Sequence, residues 1–167
     1  MRIAIAGGTG TLGRHVVDEL RERGHDVRAL SRRSLDFPVD LTTGAGLAEA
    51  LEGCEVVVDA ANASSGKRSS ATLVAGSRRL LAAEQKAGVK HHVCVSIVGC
   101  DKVPMGYYAV KVQQERVVAG GCCRCPAPGS SRSPRRRWRR QSRTLPAAMR
   151  GWAGSTWPGP RSTICGS

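Results

Sequence analysis

Two periods of apolar and polar residues take turns along the first 119 positions. Short apolar runs stand at 2–6, 26–30, 55–60 and 92–97, with a briefer one at Phe37-Pro38-Val39. Each is too short for a helix of its own and has the length of a strand. Between them the apolar positions recur at helical spacing. Leu12, Val16, Val17 and Leu20 share one face of a helix over 12–23. Further helices are predicted over 46–51, 70–87 and 107–119, with Leu73, Leu80 and Leu81 among the buried positions of the 70–87 helix. Gly88 stands where a glycine commonly closes a helix. Strands alternating with helices predict an α/β fold, a Rossmann-like, doubly wound parallel sheet covered on both faces. It is expected to stop after a fifth strand and the helix that follows.

Beyond residue 119 neither period can be drawn. Residues 120–167 hold six of the eight prolines, four of the seven cysteines and all three tryptophans. The same segment holds ten arginines and no lysine, aspartate or glutamate, so positions 1–119 retain 16 basic and 13 acidic residues. The formal charge of +13 therefore belongs almost entirely to the tail. Two domains are expected: 1–119 as the folded unit and 120–167 as a disordered basic tail, because such composition buries too little apolar surface to offset ordering entropy. Two accounts of that tail stand. One is an out-of-frame end of a GC-rich gene, favoured because the break falls inside a helix. The other is a nucleic-acid-binding arm of interleaved arginine and tryptophan. With the pattern ending there, the fifth strand would become a bare edge.

Composition adds few constraints. The chain has the length of one domain, no apolar run near the eighteen residues of a membrane span, and no secretion-signal pattern at its start. A cytoplasmic protein is expected. Cys54, Cys94 and Cys100 lie in or beside apolar segments and read as small core residues, and Cys122, Cys123 and Cys125 lack a second ligand group at metal-site spacing.

Candidate chemistry begins at Gly7-Gly8-Thr9-Gly10-Thr11-Leu12-Gly13, between the first strand and the first helix. Glycine spacing alone is a weak signal. Within a strand–helix–strand unit it marks a turn whose bare backbone lets a pyrophosphate reach the free amides of a helix start. About twenty residues on, an NAD-binding unit offers a carboxylate to the ribose 2′-hydroxyl. This chain has Ser31-Arg32-Arg33-Ser34 there and no acid until Asp36. A guanidinium suits a 2′-phosphate, which favours NADP over NAD. The competing reading is a solvated loop that happens to be basic.

In Tyr107-Tyr108-Ala109-Val110-Lys111, the tyrosine at 107 and the lysine at 111 share a helical face. An ammonium beside a phenol lowers its pKa and fits it for proton transfer near neutral pH. Ser96, at the carboxyl end of the fifth strand, stands where such sheets bind ligands. A structural tyrosine and a solvated lysine would share that spacing.

The glycine motif through Val17, Ser96-Ile97-Val98-Gly99 and Tyr107-Tyr108-Ala109-Val110-Lys111 together resemble the atypical short-chain dehydrogenase/reductases of the NmrA-like type. The resemblance covers residues 1 to about 119. It implies a domain binding NADP, with Gly7, Gly10 and Gly13 at the pyrophosphate beside Thr9, Thr11 and Leu12. Arg32, with Arg33 next to it, would meet the 2′-phosphate, and Asp40 and Leu41 the adenine. Tyr107, Lys111 and Ser96 match the superfamily's acid/base tyrosine, ribose-binding lysine and substrate serine, although the interval from 96 to 107 is short. The implied activity is hydride transfer with a carbonyl or quinone-type substrate, the substrate lobe being absent. The alternative is a non-catalytic NADP-sensing regulator, since some of the branch bind NADP without turning it over.

Overall fold

The computed structural model describes residues 1–63, 69–103, 105–121 and 164–166. Strand β1 (Arg2–Ala6) leads into helix α1 (Thr11–Glu22), and β2 (Asp26–Leu30) follows. A long loop then reaches the short helix α2 (Leu47–Leu51) and strand β3 (Val56–Asp59). One π-helical stretch, Ser70–Ala75, runs directly into α3 (Gly76–Ala87). Strand β4 (His91–Cys94), a 3-10 turn at Cys100–Lys102 and helix α4 (Gly106–Gly121) complete the alternation. Four parallel strands lie in the order β2-β1-β3-β4, the expected Rossmann-like arrangement.

Residue alternation assigns the faces. Ile3 and Ile5 of β1 pack with Val56 and Val58 of β3 against Val17 and Leu20 of α1. Ala4, Ala6 and Val57 point the other way, into a cluster with Leu47, Leu51 and Leu80. Small alanines on that face let α2 and α3 approach closely, and isoleucines fill the space below α1. Each fully buried Ile or Leu contributes roughly 1.5–3 kcal/mol. Leu73, Leu80 and Leu81 are buried as expected, and α3 ends at Gly88 with φ 72°. Leu12 departs from the expected buried face and is 43% exposed, because it lies in the first turn of α1, clear of the sheet.

Three expectations are corrected. Phe37-Pro38-Val39 is no strand: only a single bridge joins Ser31 to Pro38, and proline has no N–H to extend a ladder. The strand expected as the fifth is therefore the fourth parallel strand, and it stops at Cys94, short of Ile97. Its outer edge is not bare, since β5 (Ile164–Gly166) pairs with it antiparallel, His91 facing Gly166 and Val93 facing Ile164. The last helix extends two residues past Ala119. Apart from that helical end and β5, the expectations for 120–167 lie outside the described residues.

Candidate nucleotide site

The strand-to-helix turn is fixed by crowding. Gly7 has φ 75°, and a Cβ there would fall 2.8 Å from the Cα of Ala61. A Cβ on Gly13 would overlap the carbonyl oxygen of Gly7. The turn is stitched to β2 by the amides of Gly7 and Gly8, which both donate to the Leu30 carbonyl, at 2.9 and 3.2 Å. Gly10 caps α1 with no side chain to do so. The first helical amide to find its acceptor is that of Arg14, 3.0 Å from the Gly10 carbonyl. Among the described residues, the amides of Thr11, Leu12 and Gly13 have no acceptor. Three unpaired N–H groups at a positive helix end, over a turn that side chains cannot enter, fit a diphosphate.

Arg32 and Arg33 lie exposed in the turn after β2, beyond the carboxyl end of that strand. The Arg33 amide donates to the Ser31 hydroxyl at 3.1 Å. Inward of them, Arg28 reaches helix α2, donating to the carbonyls of Glu49 and Ala50, and lies 4.8 Å over the Phe37 ring of the intervening loop. Asp40 accepts from the amide and hydroxyl of Thr42, at 2.8 and 2.6 Å, and these bonds hold its carboxyl below the ordinary value. Leu41 beside it is buried.

Each residue expected at the reacting end has partners of its own. The phenol of Tyr107 donates to Asn62 Oδ1 at 2.7 Å, and its ring stands edge-on to Tyr108 at 6.3 Å. Burial pushes the Tyr107 phenol above its ordinary value of 10.0, the reverse of the lowering expected from Lys111. The ammonium bonds elsewhere. Lys111 is only 4% exposed and donates to the Val95 carbonyl and to Gln114 Oε1, each at 2.9 Å. Gln114 in turn donates to Asp59 and Ser77, both at 3.0 Å, and Ser77 donates to Asp59 at 2.8 Å. Ser96, two residues past β4, has its hydroxyl 3.8 Å from the Cys100 sulfur.

Asn62, Asp59, Ser77 and Gln114 escaped the reading of the sequence. Only Asp59 left a signal, as a carboxylate closing the apolar run Val56-Val57-Val58. Among the described residues no helix is long and apolar enough to cross a membrane.

A parallel sheet with a glycine turn and open amides at its first crossover defines a Rossmann-type nucleotide-binding domain. Residues 7–119 match the NAD(P)H-binding family, and the chain belongs to it. It is 33% identical over 117 residues to the photosystem II assembly factor Ycf39 of Synechocystis sp., covering 62% of this chain and 36% of that protein. A short-chain dehydrogenase/reductase superfamily protein from Agrobacterium tumefaciens, solved with bound NAD, superposes with a TM-score of 0.65 at 26% identity. That match covers 75% of this chain and 46% of the other. The NADPH-dependent quinone oxidoreductase of Escherichia coli, solved with NADPH, gives 0.60 at 25% identity, over 71% and 45% of the two chains. The chain thus spans about a third of the curated relative and under half of the two solved ones.

Proposed function

We propose that this chain is the nucleotide-binding part of an NADP(H)-dependent, NmrA-like reductase acting on a carbonyl or quinone-type substrate. The observation that carries the reading is the set of open amides at Thr11, Leu12 and Gly13 above the crowded turn. In this reading those amides hold the diphosphate, and Thr9 and Gly10 frame it. Arg32 and Arg33 receive the 2′-phosphate, in a turn with no acid before Asp36. Asp40 and Leu41 border the adenine. When bound, the nicotinamide supplies a hydride.

The protein's own contribution is a proton. A phenol that is held protonated and donates to Asn62 can transfer that donation to a substrate oxygen. Lys111, fixed through Val95 and Gln114, orients the helix that carries Tyr107. Ser96 would bind the substrate oxygen. A second reading, a non-catalytic NADP sensor, is favoured by one observation: the Lys111 ammonium gives two of its three donors to Val95 and Gln114, and Tyr107 donates to Asn62.

Calorimetry with NADPH and NADH tests the first step. NADPH should bind at least tenfold tighter, and Arg32→Ala should remove about that factor while leaving NADH unchanged. Equal affinities in the folded wild-type chain would show the basic loop to be merely solvated. NADPH oxidation with carbonyl and quinone substrates separates the reductase from the sensor.

A further inference from the structure

On the sheet face beneath α3 lies a polar cluster that the nucleotide reading does not use. Asp59 and Cys94 are opposite each other in the β3–β4 register, and His92 stands two residues before Cys94 on the same face. All three are buried, at 1%, 6% and 4% exposure, and one donor atom from each lies within 4.8 Å of the others. His92 Nδ1 sits 2.9 and 3.0 Å from the two carboxylate oxygens of Glu84, itself buried on α3. The remaining ring nitrogen, Nε2, is buried with no partner. A buried imidazole nitrogen left without a partner is costly, and native structures seldom keep one.

We propose that Asp59, His92 and Cys94 bind a divalent transition-metal ion of the zinc type. Imidazole nitrogen, thiolate sulfur and carboxylate oxygen together suit zinc better than magnesium or calcium, which prefer all-oxygen sites. An imidazole whose other nitrogen donates to a carboxylate is the arrangement metal-ligating histidines adopt, and Glu84 supplies it. The site is also rich in negative charge. Asp59 and Glu84 are both buried, and Lys111 is linked to Asp59 through Gln114. Binding forms a sulfur–metal bond and sends the thiol proton to solvent, with no change of oxidation state. Its consequence is structural, a cross-link between β3 and β4 under α3.

Cobalt(II) titration of the full, metal-free chain is the test. One equivalent should give a thiolate charge-transfer band in the near ultraviolet and visible bands of tetrahedral intensity, and zinc should bleach both. Cys94→Ser should lose the charge-transfer band. Glu84→Gln should weaken binding about tenfold or more. Zinc at a hundred times its Kd should raise Tm by on the order of 10 °C. Because Cys94→Ser can fail to fold, the variant C122S/C123S/C125S is titrated beside it and should keep the full signal. A folded wild-type chain with no thiolate band would overturn the proposal. So would a band lost in the C122S/C123S/C125S variant, which would put the metal on those cysteines instead.

Discussion

A methyl group at position 13 has no room, because the Gly7 carbonyl oxygen already occupies it. Gly13→Ala must push the start of α1 away from the turn, and both stability and nucleotide affinity should fall. Overpacking of this kind costs about 1–3 kcal/mol, readable as a lower urea midpoint at unchanged m-value. NADPH affinity should drop at least tenfold by calorimetry, since displaced amides no longer converge on the diphosphate. An unchanged Kd would separate the crowded turn from binding. Tyr107 makes the second argument at this scale. Burial raises its pKa above 10.0, so the phenol keeps its proton throughout the neutral range. A reductive rate that depends on donating this proton should stay level from neutral pH upward and fall only above 10. Tyr107→Phe should lose most of that rate while keeping NADPH affinity, and a limb near pH 7 in the wild type would refute the assignment.

Between elements, the chain Lys111–Gln114–Asp59–Ser77 ties α4 to α3 and to the end of β3. Gln114 is its hinge point, with both ends of its amide used. Gln114→Leu would strip one acceptor from a buried ammonium and one donor from a buried carboxylate. A loss of roughly 2–4 kcal/mol in chemical denaturation is expected, far more than for an exposed glutamine. A loss below about 0.5 kcal/mol would mean that water replaces the amide. The same chain explains what could be seen in the sequence. The four parallel strands, the helices and the glycine turn follow from local periods and local sterics, and they were legible. Phe37-Pro38-Val39 looked like a strand because its apolar content outweighed the missing donor of Pro38. Lys111 was expected beside Tyr107 because spacing shows a shared helix but not a tertiary acceptor. Its carbonyl partner on Val95 and the polar run through Gln114 come from other elements, and nothing local marks them.

For the molecule as a whole, the sheet places its two ends under different constraints. The glycine turn follows β1, near the middle of the order β2-β1-β3-β4-β5, whereas β5 covers the outside of β4. Among the described residues, strand β5 pairs with β4 alone, through His91, His92 and Val93. Ending the chain after Gly121 should therefore leave the turn and its amides intact and uncover one parallel-sheet edge. Uncovered edges pair with other chains. The shortened protein is expected to bind NADPH within about twofold of the full chain's Kd, because the bonds from Gly7 and Gly8 to Leu30 do not involve the lost strand. It should also associate with rising concentration, seen by sedimentation velocity between about 1 and 100 μM. A proline in place of Val93 in the shortened chain would remove a donor at the edge but risks the fold. If the shortened chain stays monomeric over that range, β5 does not protect the edge. If NADPH binding disappears while the fold persists, the tail reaches the nucleotide site, and the division of labour argued from the strand order is wrong.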